Sequence, residues 1–136
     1  MLLFLTFLLN SLLVAATILM HYEVLSFLDM QMQSLEHISN RLRVLISVGV
    51  IFLGHVAEIW LFGLGYFAML HIGGMGMIQG ETQGLFMDCV YLSFVTYTTV
   101  GYGDVFVNGY IRYLTGVEAL TGLILVTWSA SFLFLE

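Results

Sequence analysis

Residues 85–97 form an apolar run, LFMDCVYLSFVTY, that is too short to cross a bilayer. As a helix it reaches about 20 Å, against a hydrocarbon core of about 30 Å. It leads straight into Thr98-Thr99-Val100-Gly101-Tyr102-Gly103-Asp104. The glycines at 101 and 103 permit backbone conformations with φ > 0 that neither helix nor strand uses. Longer apolar segments flank this pair on both sides, so it must sit at or near membrane depth. Non-helical backbone is tolerated there only inside protein or along a water-filled path. The short run and the glycine loop therefore predict a re-entrant segment that enters and leaves on one side. Asp88, near its start, complements the positive end of the helix dipole, and the C-terminal end turns partial negative charge towards the glycine loop.

Composition agrees with a membrane setting. The chain has 136 residues, 60% of them hydrophobic and 9% charged, where soluble domains carry about 25% charged residues. Three basic residues stand against nine acidic ones, which excludes a basic nucleic-acid surface. Cys89 is the one cysteine and forms no intrachain disulfide. No proline is present, so helix bends must come from glycine or from packing. No nucleophile–base arrangement stands out, so no enzymatic activity is expected, and no cofactor.

Residues 1–20 form a first apolar run, about 30 Å long as a helix, enough to span. A cleaved signal peptide is the competing reading, but it requires a basic n-region, and no basic residue precedes Arg41. Residues 21–43 change character. His21, Glu23, Asp29, Glu36, His37, Arg41 and Arg43 lie among Leu25, Leu28, Met32, Leu35, Ile38 and Leu42. Apolar positions every three or four residues predict an amphipathic linker helix on the cytoplasmic membrane surface. A solvated linker with one packed face is the alternative. Residues 44–70 form a second span. Residues 71–84 are glycine-rich and read as a flexible exposed loop. Residues 110–136 form the last span.

Because the segment at 85–104 returns to its own side, the spans at 44–70 and 110–136 run in opposite directions. Arg41 and Arg43 precede the second span, and basic residues favour the cytoplasm. That orientation puts the glycine loop outside, the C-terminus inside and the N-terminus outside.

Outer helix 44–70, short helix 85–97, the run Thr99-Val100-Gly101-Tyr102-Gly103-Asp104 and inner helix 110–136 together resemble the pore module of tetrameric potassium channels. The TVGYG loop resembles their selectivity filter. The whole chain, with its extra N-terminal transmembrane helix, looks like small prokaryotic ion-channel proteins. The resemblance implies an all-α membrane protein with a re-entrant pore helix (85–97) and a filter (98–104). It also implies a C4 homotetramer, since one filter strand cannot surround an ion; the partners are then three identical subunits and membrane lipid. K⁺ would bind at Thr99, Val100, Gly101, Tyr102 and Gly103 as the permeant ion, shedding water for backbone carbonyls and the Thr99 hydroxyl. The side chains of Val100 and Tyr102 would point backward and brace the loop. Thr98 would end the pore helix. Tyr91 stands where relatives place an aromatic donor for the aspartate after the filter, here Asp104. Val95 stands where some relatives carry a glutamate, so that carboxylate brace is missing. Relatives bend the inner helix at a glycine; Gly122 is the best match and Gly116 the second.

Several polar residues fall outside this pattern. His55 and Glu58 lie mid-span, one turn apart. Intramembrane ionisable groups are costly and face protein or water. The pair reads either as a hydrogen bond between helices or as a proton or metal sensor, and two ligands make a weak metal signal without a third. Glu118 either braces the pore helix from behind or faces the cavity. Trp60 and Trp128 suit packing or interface anchoring. Glu81, Asp88 and Asp104 would enrich cations near the outer mouth. No basic ladder for voltage sensing is present in this sequence, and a cytoplasmic ligand-binding domain is not expected within it. The functional expectation is a passive potassium-selective channel in the plasma (cell inner) membrane. The alternatives are a non-selective cation channel, a non-conducting regulatory subunit that keeps the pore fold, and a K⁺ transporter subunit.

Overall fold

The computed structural model describes residues 1–34 and 37–135, without the side chains of Gln33 and Leu135. The element order is α1 (Leu2–Ser34), α2 (Asn40–His71), β1 (Gly76–Gly80), α3 (Phe86–Tyr97), β2 (Val105–Gly109) and α4 (Arg112–Leu135). Helices α1, α2 and α4 are long and apolar enough to cross a membrane, whereas α3 is short and apolar. This is a mostly helical membrane protein.

One continuous helix, α1, stands where a span at 1–20 and a separate surface helix from 21 were expected. No glycine or proline precedes Gly49, so nothing in the backbone breaks the helix at residue 20. The periodic apolar positions beyond it form a packed stripe instead of a membrane-surface face. Leu25, Leu28 and Met32 cluster with Ile51 of α2, and Phe132 and Leu133 of α4 pack against them. His21 is buried as well. Arg41 and Arg43 belong to the first turn of α2. Leu35 and Glu36 of that expected linker helix lie outside the described residues, as does Glu136 at the end of the expected last span.

The main core gathers Ile59, Phe62, Tyr66 and Met69 of α2, Cys89, Leu92 and Tyr97 of α3, and Ile111 and Leu114 at the start of α4. Lipid tails are as apolar as leucine, so in a bilayer this core gains from close packing more than from exclusion of water. Small residues permit that closeness. A Cβ built on Gly122 of α4 would lie 2.3 Å from the carbonyl oxygen of Tyr97, the last residue of α3. Only a glycine lets α4 approach α3 so nearly.

The glycine-rich stretch 71–84 is not wholly a loop. Its centre is β1, which pairs antiparallel with β2, from Gly76 opposite Gly109 to Gly80 opposite Val105. The partner strand lies across α3 and the glycine loop in sequence, so no local pattern announced it. The hairpin ties together the two ends of the segment that carries α3 and residues 98–104. Glu81 N–H donates to the Asp104 carbonyl at 2.8 Å, which extends this closure by one bond.

Candidate functional site

Helix α3 delivers the chain into residues 98–104. Its start is fixed by Asp88, whose Oδ2 accepts hydrogen bonds from the Thr82 hydroxyl and from the Gln83 and Leu85 N–H groups. These donors, Thr82 foremost, hold the Asp88 carboxyl below the usual carboxylate range. A carboxylate at this end also complements the positive end of the helix dipole. At the other end, Thr98 N–H and its hydroxyl both donate to the Phe94 carbonyl. Thr99 N–H donates to Thr96 O and Gly101 N–H to Val95 O, each at 2.9 Å.

The backbone then alternates. Thr99 has φ +59°, Gly101 φ +52° and Gly103 φ +81°, while Val100 and Tyr102 between them stay at negative φ. Thr99 is the one non-glycine residue at positive φ among the described residues, a conformation that costs a side-chain-bearing residue about 1–2 kcal/mol. Such strain collects where function requires a geometry. Alternating handedness turns successive carbonyls towards one side. Among the described residues, no N–H or hydroxyl donates to the carbonyls of Thr99, Val100, Gly101, Tyr102 or Gly103. Five consecutive acceptors are thus left for something other than this chain. The glycines were legible in the sequence; the left-handed Thr99 was not, because threonine seldom adopts that conformation.

The side chains of Val100 and Tyr102 were expected to brace the loop. Within one chain they do not: Val100 is 54% and Tyr102 75% exposed. Asp104 follows. Tyr91 donates its hydroxyl to Asp104 Oδ2 at 2.7 Å.

Glu118 of α4 is fully buried behind α3, so it faces protein, not a cavity. It accepts from the Tyr66 hydroxyl of α2 at 2.5 Å and from the Ser93 hydroxyl of α3. Ser93 Oγ also lies 2.7 Å from the Ile59 carbonyl. One carboxylate thereby joins three helices. Glu118→Ala is expected to orphan the Tyr66 hydroxyl, at about 1–3 kcal/mol for a buried group left unsatisfied, while Ser93 keeps the Ile59 carbonyl as acceptor. Thermal unfolding in detergent would check this. Because the two residues share one bond, adding Tyr66→Phe to Glu118→Ala should cost less than Tyr66→Phe alone.

Glu58 centres a second network. It lies within hydrogen-bond reach of His21 Nδ1 (2.8 Å), His55 Nδ1 (3.0 Å) and the Tyr97 hydroxyl. Ser129 of α4 completes the group beside His55 Nε2. The pair read from the sequence as His55 and Glu58 is therefore part of a set drawn from all four helices. His21, Tyr97 and Ser129 were missed because their distances in sequence from the pair carry no periodic signal. The one available hint was a polar residue within an apolar run. The two candidate hinge glycines differ: Gly122 abuts Tyr97, whereas nothing lies within 4 Å of a Cβ built on Gly116.

A family model described as ion channel matches residues 44–134, well over half of the chain. The chain belongs to the ion channel family. Among curated proteins and among solved structures, nothing matches it. The family match spans α2, the hairpin, α3, residues 98–104 and almost all of α4, and it begins after α1. In this ion channel α1 is therefore an addition to the matched unit, and it packs on α2 and α4.

Proposed function

We propose that this ion channel conducts potassium passively and selectively, with residues 99–103 as its filter. The observation that carries the reading is the row of five free carbonyls on backbone of alternating hand. A K⁺ ion that sheds its water needs such a row, and repulsion between ions in adjacent sites lets it leave again. Thr99 adds a hydroxyl oxygen at the inner end. Helix α3 aims its negative dipole end at the same place.

One chain offers one side of such a pore. Four identical subunits about one axis supply the rest, and the exposure of Val100 and Tyr102 supports this, since neighbours would cover them. Tyr91 and Asp104 clamp the outer end of the filter, and Glu118 supports α3 from behind. Helix α3 is then a re-entrant pore helix, α2 the outer helix and α4 the inner helix, with Gly122 at the level of the filter's base. Arg41 and Arg43 support a cytoplasmic position for the start of α2. The filter then faces outward, the N-terminus lies outside and the C-terminus inside, in the plasma (cell inner) membrane. Glu81, Asp88 and Asp104 draw cations to the outer mouth.

Liposome reconstitution tests the proposal. Opposed K⁺ and Na⁺ gradients are expected to give a reversal potential near the K⁺ equilibrium value. A potential near zero would mean a non-selective cation channel. No flux from a folded tetramer would mean a non-conducting subunit.

A further inference from the structure

The cluster around Glu58 is arranged as a metal-ligand set. Glu58 Oε2, His55 Nδ1 and the Tyr97 hydroxyl oxygen form a closed triangle. Its Nδ1 edges are 3.0 Å to Oε2 and 2.9 Å to the phenol oxygen, and the phenol–carboxylate edge is also a hydrogen-bond contact. Protons serve a triangle poorly. The phenol carries one hydrogen and a ring nitrogen at most one, so one of the three edges always lacks a proton of its own. A single cation inside serves all three.

His21 Nδ1 approaches from α1, 2.8 Å from the other carboxylate oxygen, Oε1. One ligand atom each from His21, His55 and Glu58 lies within 4.8 Å of the others. Zinc bonds of about 2.0–2.1 Å at the tetrahedral angle place ligand atoms about 3.3 Å apart. The two His55 Nδ1 contacts need an expansion of a few tenths of an ångström, and the phenol–carboxylate contact must open further to admit the ion.

The far side of both imidazoles agrees. His55 Nε2 and His21 Nε2 converge on one hydroxyl, Ser129 Oγ, at 3.1 and 3.3 Å. When Nδ1 binds a metal, Nε2 carries the ring hydrogen, and both N–H groups can donate into the two lone pairs of Ser129. Metal-bound histidines commonly have such a partner for the other ring nitrogen. Glu58 is also fully buried, and among the described residues its ion-pair partners are these two histidines alone. A divalent cation supplies the positive charge that a buried carboxylate requires. His55 keeps 16% of its side chain exposed, which leaves a way in.

We infer that His21, His55, Glu58 and Tyr97 form a site for a divalent transition metal, Zn²⁺ by ligand type. The metal would join α1 to α2 and to the last residue of α3. The site does not depend on which ion the channel passes.

The test uses the full chain in detergent, stripped with a chelator and titrated with Co²⁺ and then Zn²⁺. One Co²⁺ per chain is expected, with the strong visible absorption of a tetrahedral site and displacement by Zn²⁺. Ser129→Ala should weaken affinity about 10–100-fold. His21→Gln should abolish binding, while His71→Gln, at an exposed histidine, leaves it unchanged. X-ray absorption of the zinc-loaded wild type needs no variant to fold, and it should show imidazole nitrogens at about 2.0–2.1 Å. A zinc spectrum without imidazole scattering, wild-type protein that binds no metal, or unchanged affinity in His21→Gln would overturn the assignment.

Discussion

Gly101→Ala is expected to abolish potassium flux while leaving the folded assembly intact. Gly101 sits at φ +52°, and no atom of the chain lies within 4 Å of a Cβ built there. Within one chain the substitution therefore breaks no packing. What it changes is the backbone preference. An alanine in the left-handed region costs about 1–2 kcal/mol, and four symmetric copies raise this to about 4–8 kcal/mol per tetramer. The proposed filter can relieve that cost only by moving Gly101 out of alternation, which would turn a carbonyl away from the proposed axis. A desolvated ion that loses one ring of oxygens loses its replacement for water. Flux from K⁺-loaded liposomes should fall to the level of empty vesicles, with helical content and assembly mass unchanged. Selective flux that survives would remove residues 99–103 from the permeation path.

How much of this was legible follows from the range of each interaction. The left-handed turns at Gly101 and Gly103 were readable because glycine permits them at little cost, whereas the one at Thr99 was not. The spans at 44–70 and 110–136 were readable from length and hydropathy, since a bilayer demands both. The end of the first helix was not. Polar residues from His21 onward suggested an exit from the membrane, whereas His21 is matched by Glu58, a partner 37 residues away. A buried polar residue with a distant partner has the same local appearance as an exposed one. The β1–β2 hairpin was hidden for a related reason: Met77, Ile78 and Gln79 are too few to show a period, and their partners lie beyond α3. Glu118 shows the opposite case. A carboxylate in an apolar helix must find donors, so its involvement was foreseeable, but only the fold identifies them as Tyr66 and Ser93.

The two glycines of α4 should respond to alanine with opposite signs. Both lie within the helix, where alanine is favoured over glycine by about 0.5–1 kcal/mol. Gly116 has nothing within 4 Å of the added Cβ, so Gly116→Ala should raise the unfolding midpoint. At Gly122 the new carbon would meet the Tyr97 carbonyl oxygen at 2.3 Å and its carbonyl carbon at 3.0 Å. Those atoms are backbone and cannot swing aside as a side chain can. Overpacking of this kind costs about 1–3 kcal/mol, more than the propensity gain, so Gly122→Ala should lower the midpoint. Tyr97 directly precedes Thr98, so a displaced Tyr97 also shifts the start of the proposed filter. Conduction should then change along with stability. A hinge acts differently: alanine there stiffens α4 and alters opening without a packing penalty. Thermal unfolding of the two variants separates these cases. A similar rise at both positions would leave Gly122 as a hinge alone; a fall at Gly122 against a rise at Gly116 makes it the contact through which α4 positions α3.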